Sequence, residues 1–183
     1  MLGYDNPRLC QALIEAGHVR GRHDWIVLGV ETLNWIAVRQ TSAEGHFRPV
    51  GSETFGRSYS QYPFDQQALE AQAAIEAAHS AFVATRNRRW IDHAQTAYAW
   101  FFGRNDRGLA LADVATGRCR DGITPQGINE NSGAESILAF QLSHYALSGL
   151  RRMTAQPAAS VTTAPQLDAG TAASPYRNSI RTA

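Results

Sequence analysis

Apolar residues recur at helical spacing through residues 6–152 of the chain. The clearest amphipathic stripe follows the i, i+4, i+7, i+8, i+11 spacing and consists of Trp90, Ala94, Ala97, Tyr98 and Phe101. The alternation of apolar and polar residues that would predict a β-sheet is missing, and we expect at most a small hairpin beginning at residues 45–50. The pattern therefore predicts an all-α chain.

Five helices are predicted, over approximately residues 6–16, 24–40, 65–85, 88–101 and 132–152. Asn6 before Pro7 is an N-cap followed by a proline in the first turn, which starts the first helix. The second helix is apolar almost all round its axis, a composition typical of a helix that is buried on several sides. Asp65 can cap the third helix, and Ser132 with Glu135 matches a capping box for the fifth.

The composition changes after residue 153, where Ala, Thr, Ser and Pro predominate and large apolar residues are few. Such a segment cannot bury enough apolar surface to offset the entropy that it would lose on ordering. We therefore expect a helical domain over residues 1–153 and a disordered tail over residues 154–183.

The lengths of the connections between the predicted helices indicate where function lies. The first and third connections contain only a few residues, whereas the second and fourth span residues 41–63 and 103–132. Loops of that length inside a compact domain are usually functional. If the helices run alternately up and down, successive connections alternate between the two ends, so both long loops are expected at the same end.

The residues around the long loops are of the types that sugar recognition needs. Aromatic rings cover the apolar face of a pyranose, polar groups pair with its hydroxyls, and carboxylates supply the acid and base, or the nucleophile, of glycoside chemistry. The candidate catalytic carboxylates are Asp65, Glu135, Glu70, Asp121 and Asp106. The candidate substrate-binding residues are Gln66, Arg104, Asn105, Asn129, Asn131, Tyr62 and Phe47.

Several of these residues also have a purely structural interpretation. Asp65 can serve only to cap its helix, and Glu135 can serve only to close the capping box. Asp106 and Asp121 each lie near a glycine in a turn, where aspartate commonly hydrogen-bonds the local backbone. The four tryptophans lie on predicted helices and are more typical of a core than of sugar-stacking platforms.

Composition and motifs argue against several other functions. The formal net charge is only +1, and all 17 basic residues are arginine, so the chain has no basic surplus for nucleic-acid binding. No apolar run is long enough to span a membrane and the N-terminus does not resemble a signal peptide, so we expect a cytoplasmic protein. We expect no metal or other cofactor, because metal-ligand spacings and phosphate-binding motifs are missing. Cys10 and Cys119 are interpreted as reduced thiols.

The blocks WFFGRND (100–106), TG (116–117), CRDG (119–122) and NENSGAES (129–136) occur in this order. Together with GHF (45–47), PVGS (49–52) and FDQQ (64–67) followed by Glu70, they resemble the C-terminal region of bacterial six-hairpin, (α/α)6-barrel proteins. Members of this group are described as glycosidase-like or as glycosyltransferases. The resemblance covers about residues 20–150, and it departs from the family pattern at Ser132, where the family usually has Gln.

The resemblance implies a toroid of antiparallel helical hairpins and a carbohydrate context. In such toroids alternate helices line the inside, so helices one, three and five are expected to be inner and helices two and four outer. Five helices are fewer than the twelve of a full toroid, so the chain is expected to form a partial (α/α) toroid. A partial toroid should expose apolar surface on its inner face and N-terminal edge, and should associate with itself or with the N-terminal remainder of a longer protein.

These observations favour a carbohydrate-active helical domain, glycosidase-like or sugar-binding, in carbohydrate metabolism or glycan synthesis. Its expected partner is a carbohydrate, and Asp65 and Glu135 are expected to converge on one bound sugar. The resemblance does not settle a reaction, because such regions are often fused to a glycosyltransferase domain that this chain lacks. The alternatives are a non-catalytic accessory module of a glycosyltransferase and an inactive fragment.

Overall fold

Five α-helices make up most of the described part of the chain. The computed structural model describes residues 3–52 and 64–155, so Tyr62 and the predicted tail beyond residue 155 lie outside the described residues. The helices are α1 (Asn6–Arg20), α2 (His23–Arg39), α3 (Ala68–Thr85), α4 (Arg89–Ala99) and α5 (Ala134–Ala155). The five predicted helices are confirmed, and α5 continues through the first two residues that the sequence assigned to the tail.

The expectation of an all-α chain is wrong in one respect, because the long loops contain short strands. These are β1 (Gln66–Gln67), β2 (Ala112–Asp113), β3 (Arg118–Cys119), β4 (Gly122–Thr124) and β5 (Gly127–Ile128). They form a three-stranded sheet in the order β1–β4–β5 and a separate β2–β3 pair, all antiparallel. Strands of two or three residues are too short to show the alternation by which a sequence predicts a sheet. The small hairpin expected from residues 45–50 with those that follow lies partly outside the described residues, and within them Phe47 forms a single bridge to Thr41.

Helix α3 lies between α1 and α5 and also packs against α4. Its buried positions are mostly alanines that are completely inaccessible, which allows neighbouring helices to approach closely on several sides. Helix α2 packs mainly against α1. The helices α1, α3 and α5 thus form a row, and α2 and α4 each pack mainly against the helix that precedes them.

Helix α2 is less buried than its composition predicted. Only Gly29, Leu33 and Ile36 are buried, whereas several large apolar side chains are exposed, namely Val27, Leu28, Trp35 and Val38. The buried side faces α1 at close range, since a Cβ atom on Gly29 would lie 2.7 Å from Cγ1 of Ile14. The prediction of burial on several sides is therefore wrong, because α2 has one extensive helical neighbour among the described residues.

The structure also corrects the predicted starts of three helices. Asn6 is the first residue of α1, and the N-cap is Asp5. Asp65 does not cap α3, because β1 intervenes and Gln67 occupies the cap position. Helix α5 begins at Ala134 and not at Ser132, so the predicted capping box is not formed.

The two long loops meet at one end of the helical row. Strand β1 precedes α3 and pairs with β4, which lies in the loop that precedes α5. Side chains also connect the loops, since Arg48 from the first loop donates hydrogen bonds to Asp106 from the second. At the same end, the backbone N–H of Asp5, just before α1, donates to Glu70 in the first turn of α3. The expectation that both loops emerge at the same end is therefore confirmed.

Candidate functional site

A cleft of about 370 Å³ opens where the two long loops meet, beside the first turns of α3 and α5. Strands β1 and β4 contribute one side of it, and the start of α5 contributes another. The polar residues that line it include Asp65, Gln66, Asp121, Asn129, Glu135 and Ser136. Most of them are sequence-predicted site residues, so the structure brings together candidates from loops that are far apart along the chain.

Glycine at position 122 allows the two strands beside the cleft to approach each other. A Cβ atom there would lie 2.2 Å from the carbonyl oxygen of Gln66, well inside van der Waals contact. Because β1 precedes α3 directly, this close pairing holds the start of α3 against the second long loop. The local sequence thus sets the position of the cleft wall through a backbone contact that only glycine permits.

Asp121 lies in the cleft, but its carboxylate is used to hold the start of α5. It accepts hydrogen bonds from the backbone N–H of Gly133 at 2.6 Å and from the side chains of Ser136 and Asn131. The hydrogen bond from Ser136 is the main cause that lowers the pKa of Asp121 below its ordinary value. Asp121 thus satisfies donors at the helix start, a function that the sequence had assigned to Ser132. Asn131 takes part in the same network.

Glu135 is exposed at the first turn of α5 and is contacted from the opposite end of the chain. The hydroxyl of Tyr4 lies 3.3 Å from both carboxylate oxygens of Glu135 and donates to them. Burial and the nearby charge of Glu135 raise the pKa of Tyr4 to about 12, so Tyr4 keeps its proton and remains a donor at neutral pH. Sequence reasoning missed Tyr4, because no local pattern connects residues so far apart.

Glu70 is the most deeply buried of the candidate carboxylates, with 1% of its surface exposed. Its carboxylate accepts a hydrogen bond of 2.7 Å from the backbone N–H of Asp5 and a longer one, 3.5 Å, from Nε2 of Gln40. Burial, assisted by the nearby charge of Asp5, raises its pKa from 4.5 to about 7. Glu70 does not line the cleft, although it lies on the first turn of α3 beside it.

We expect the variant Glu70→Gln to remove a pH dependence of stability. A carboxyl whose pKa is raised in the folded state stabilises the fold at low pH, and this contribution is lost as the pH rises from about 4.5 to about 7. The free energy of unfolding of the parent should therefore fall by about 2 kcal/mol over this range, and that of the variant should not. Chemical denaturation at pH 4.5 and at pH 8 measures both.

In the variant Glu70→Gln, the new side-chain amide can donate a hydrogen bond to Oε1 of Gln40. This buried atom has no hydrogen-bond partner among the described residues. The variant should therefore be the more stable protein at pH 8. An equal fall in stability in the two proteins would show that Glu70 is already ionised at pH 4.5. The variant Glu31→Gln serves as the control, because it removes an exposed carboxylate from the surface of α2.

Asp106 lies outside the cleft at the centre of a buried network that joins the two long loops. It accepts hydrogen bonds from Nε of Arg48 at 2.7 Å, from His46 Nε2 at 3.0 Å and from the side-chain amide of Gln66. Burial alone would raise its pKa, but the donors of Arg48, Gln66 and His46 outweigh burial and lower it. Asp106 is therefore ionised and fully engaged within the fold.

Gln66 connects this network to the cleft without offering its side chain to a ligand. Its Oε1 accepts a hydrogen bond of 2.8 Å from the indole of Trp100, and its amide nitrogen donates to Asp106. The residue is completely inaccessible to solvent. Gln66 thus contributes to the cleft by holding β1 in place.

The network contains a serine, a histidine and an aspartate in hydrogen-bonded series. Oγ of Ser42 lies 2.9 Å from Nδ1 of His46, whose Nε2 lies 3.0 Å from Asp106. Nucleophilic catalysis requires a serine that a substrate can reach, and only 7% of Ser42 is exposed. The series therefore stabilises the turn at residues 42–46 and does not form a hydrolase site.

The remaining candidates lie away from the cleft. Phe47 is in the core, where its ring packs edge-on against His93. Asn105 is buried and its side chain donates to the carbonyl oxygens of Trp100 and Leu109, both at 2.8 Å, which holds the turn at the start of the second long loop. Arg104 is exposed and does not line the cleft.

The described residues contain no group of three or more His, Cys, Asp or Glu side chains that could hold a metal ion. Cys10 and Cys119 are buried free thiols, and burial raises the pKa of Cys119 to about 12. In the same part of the chain, no helix combines the length and apolar character needed to cross a membrane.

The three carboxylates of the cleft therefore differ in what holds them. Asp121 is taken up by the start of α5, and Glu135 is oriented by Tyr4. Asp65 has no side-chain hydrogen bond to any described residue, although its backbone carbonyl accepts one from the N–H of Ser52 at 3.0 Å.

No protein-family model matches the sequence, and no curated protein matches it significantly.

Proposed function

We propose that the chain is a carbohydrate-active helical domain that binds a neutral saccharide in the cleft between the long loops. The observation that carries this proposal is that Asp65, just before β1, and Glu135, in the first turn of α5, line one cleft together with the amide of Asn129. Carboxylates and amides are suited to pair with sugar hydroxyls. The volume of about 370 Å³ lies within the range typical of small-ligand sites.

The proposed chemistry is glycosidase-like, with Asp65 and Glu135 as the catalytic pair. Glycoside hydrolysis needs two carboxyl groups on opposite sides of the scissile bond, separated by roughly 5–10 Å depending on the stereochemical outcome. Tyr4 supports the assignment of Glu135, because a donor on its carboxylate restricts the orientation of this exposed side chain. Asp65 is the suitable partner, since the other cleft carboxylate, Asp121, is occupied.

The proposed architecture is a partial (α/α) toroid of helical hairpins, with α1, α3 and α5 as the inner helices. The row of these three helices and the placement of both long loops at one end support it. The resemblance of the loop blocks to six-hairpin proteins supports the same architecture. In this arrangement the cleft lies at the mouth of the toroid, and the partner is a second copy or the N-terminal remainder of a longer protein.

A second candidate function is a non-catalytic accessory module of a glycosyltransferase. It is favoured by the engagement of Asp106, Asp121 and Gln66 in hydrogen bonds within the fold, which leaves few groups for catalysis. An assay for hydrolysis of neutral oligosaccharides separates the two functions. Turnover by the chain supports the glycosidase-like function, and saturable binding without turnover supports the accessory module.

We expect Glu135→Gln to weaken oligosaccharide binding by at least about tenfold, because the variant loses a charged acceptor inside the cleft. Calorimetric titration with maltose, cellobiose and mannobiose measures the affinity, and thermal unfolding measures the stability. The matched control is Glu130→Gln, which removes an exposed carboxylate from the loop just before α5 that does not line the cleft.

Unchanged binding in Glu135→Gln, together with a stability loss of about 1 kcal/mol, would contradict the proposal and would assign Glu135 to the start of α5. Binding that is lost equally in both variants would point to a general effect of charge on the loop. Only a selective effect at position 135 supports a saccharide in the cleft.

A further inference from the structure

A second concave site lies in a groove of about 440 Å³ between α1, α3 and α5. Its residues on α3 are Glu76, His79 and Ser80, which lie two or more turns beyond the first turn that borders the cleft. Helix α5 contributes Tyr145 and Arg152. The groove is therefore separate from the cleft, although both are formed by the same row of helices.

The groove combines apolar surface with a row of polar side chains. Helix α3 is apolar and mostly alanine where it packs, and its polar side chains at positions 72, 76, 79 and 80 recur at helical spacing on one face. Three of these four positions line the groove. On this face Glu76 and Ser80 contact Arg8 and Glu15 of α1.

The carboxylates of the groove are held in place by neighbouring side chains. Oε1 of Glu15 accepts hydrogen bonds from Ser80 at 2.6 Å and from Gln11 at 2.9 Å. Glu76 is bound by the guanidinium of Arg8 and by Nε2 of Gln72 at 3.2 Å. Both acceptors are therefore oriented before any ligand arrives, which reduces the entropy that binding costs.

The same groove retains hydrogen-bonding groups that the fold does not use. Oε2 of Glu15, the imidazole of His79 and the guanidinium of Arg152 form no hydrogen bond with any described residue. They come from three different helices and line one cavity. A ligand in the groove can thus meet an acceptor, a strong donor and an imidazole that serves as either.

The charges around the groove balance. Glu15 and Glu76 are opposed by Arg152 and by Arg8, which pairs with Glu76. Burial lowers the pKa of His79 in spite of these two carboxylates, so the imidazole is neutral at pH 7. A groove of no net charge that offers both apolar surface and hydrogen-bonding groups suits a neutral ligand with hydroxyls better than a phosphate or a polyamine.

Tyr145 and Gly149, one turn apart on α5, both line the groove. Tyr145 is 71% exposed, which is unusual for so large a side chain. On the next turn of α5, a Cβ atom added to Gly149 would be in van der Waals contact with Nε2 of His79 at 3.5 Å, so glycine leaves room beside the imidazole. An aromatic face beside oriented polar groups is the arrangement that binds the apolar face of a pyranose.

We propose that this groove is a second saccharide site, which takes a neutral mono- or disaccharide with its ring against Tyr145 and its hydroxyls on Glu15, His79 and Arg152. This inference goes beyond the proposed function of the cleft and does not depend on catalysis there. It assigns a ligand to residues that the analysis of the sequence did not single out.

The test uses the full chain and titrates glucose, maltose and cellobiose while the backbone amide resonances are recorded by NMR. We expect saturable shifts of resonances at the groove, and we expect Tyr145→Ala and Glu15→Gln each to weaken that response by about tenfold. Neither variant should change the melting temperature appreciably, because both side chains are exposed. The controls are Val114→Ala and Glu31→Gln, which remove an exposed apolar and an exposed acidic group elsewhere.

The outcome for the groove can be told apart from the outcome for the cleft by adding Glu135→Gln to the series. Groove shifts that survive Glu135→Gln and are weakened by the two groove variants support the inference, whatever the cleft does. The inference is overturned if none of the three sugars shifts groove resonances. It is also overturned if the groove response is lost in Glu135→Gln, or is unchanged in Tyr145→Ala and Glu15→Gln.

Discussion

Replacing Asp106 with alanine should lower the free energy of unfolding by about 3 kcal/mol, which is a large part of the stability of a domain of this size. The side chain is 7% exposed and accepts hydrogen bonds from Arg48, His46 and Gln66. Alanine leaves these donors without their acceptor, and the buried amide of Gln66 cannot turn to water. Chemical denaturation at pH 7 measures the loss.

The Asp106 contribution should also disappear in acid. Because the folded state lowers the pKa of Asp106, its contribution is fully present above the ordinary pKa of aspartate, about 4, and is lost as the pH falls through the lower folded value. The control Asp113→Ala removes an exposed carboxylate of the same loop and should cost much less stability than Asp106→Ala. Equal losses in the two variants would show that the Asp106 network contributes little.

The second large effect is expected on association. Four exposed apolar residues share one face of α2, namely Val27, Leu28, Trp35 and Val38, and Leu9 and Val19 are exposed on the neighbouring α1. Contiguous apolar patches of more than a few hundred Å2 are uncommon on monomers and usually mark a contact surface. We therefore expect the chain to self-associate through this edge, and we expect the double variant Leu28→Glu, Val38→Glu to weaken association by at least about a hundredfold.

Multi-angle light scattering over a range of protein concentrations measures this association. The control Val114→Glu places the same charge on an exposed apolar residue of the second long loop and should leave the molar mass unchanged. A chain that stays monomeric at every concentration, with full binding of saccharide in the cleft, would contradict the prediction. It would mean that the exposed edge is stable in water without a partner.

The helices could be predicted from the sequence because their signals are local. Periodicity located all five, and the alternation of short and long connections predicted the meeting of the two loops. The degree of burial of α2 could not be predicted in the same way. Its apolar composition is compatible with either several neighbours or an exposed edge, and the choice depends on how many helices surround it.

The cleft could be predicted only in part, because its hydrogen bonds join distant segments. Loop position was sufficient to select Asp65, Asn129 and Glu135, which do line one cavity. No sequence pattern could show that Tyr4 contacts Glu135 or that Asp106 is surrounded by donors. Glycine and turn signals pointed to a structural function of Asp106 and Asp121, and the structure shows that the partners are mostly non-local.

The pairing of β1 with β4 has a consequence for how the cleft forms and how it responds to a ligand. The two strands are separated in sequence by α3 and α4, so their contact closes a long loop whose entropy must be offset before the cleft exists. Four backbone positions form the pairing, and the cleft should open locally more often than the alanine core of α3 unfolds. A ligand that binds only the closed form then slows amide hydrogen exchange at Gln66 and Ile123 in proportion to its concentration. Exchange rates at these two amides thus report occupancy of the cleft even when no turnover can be detected.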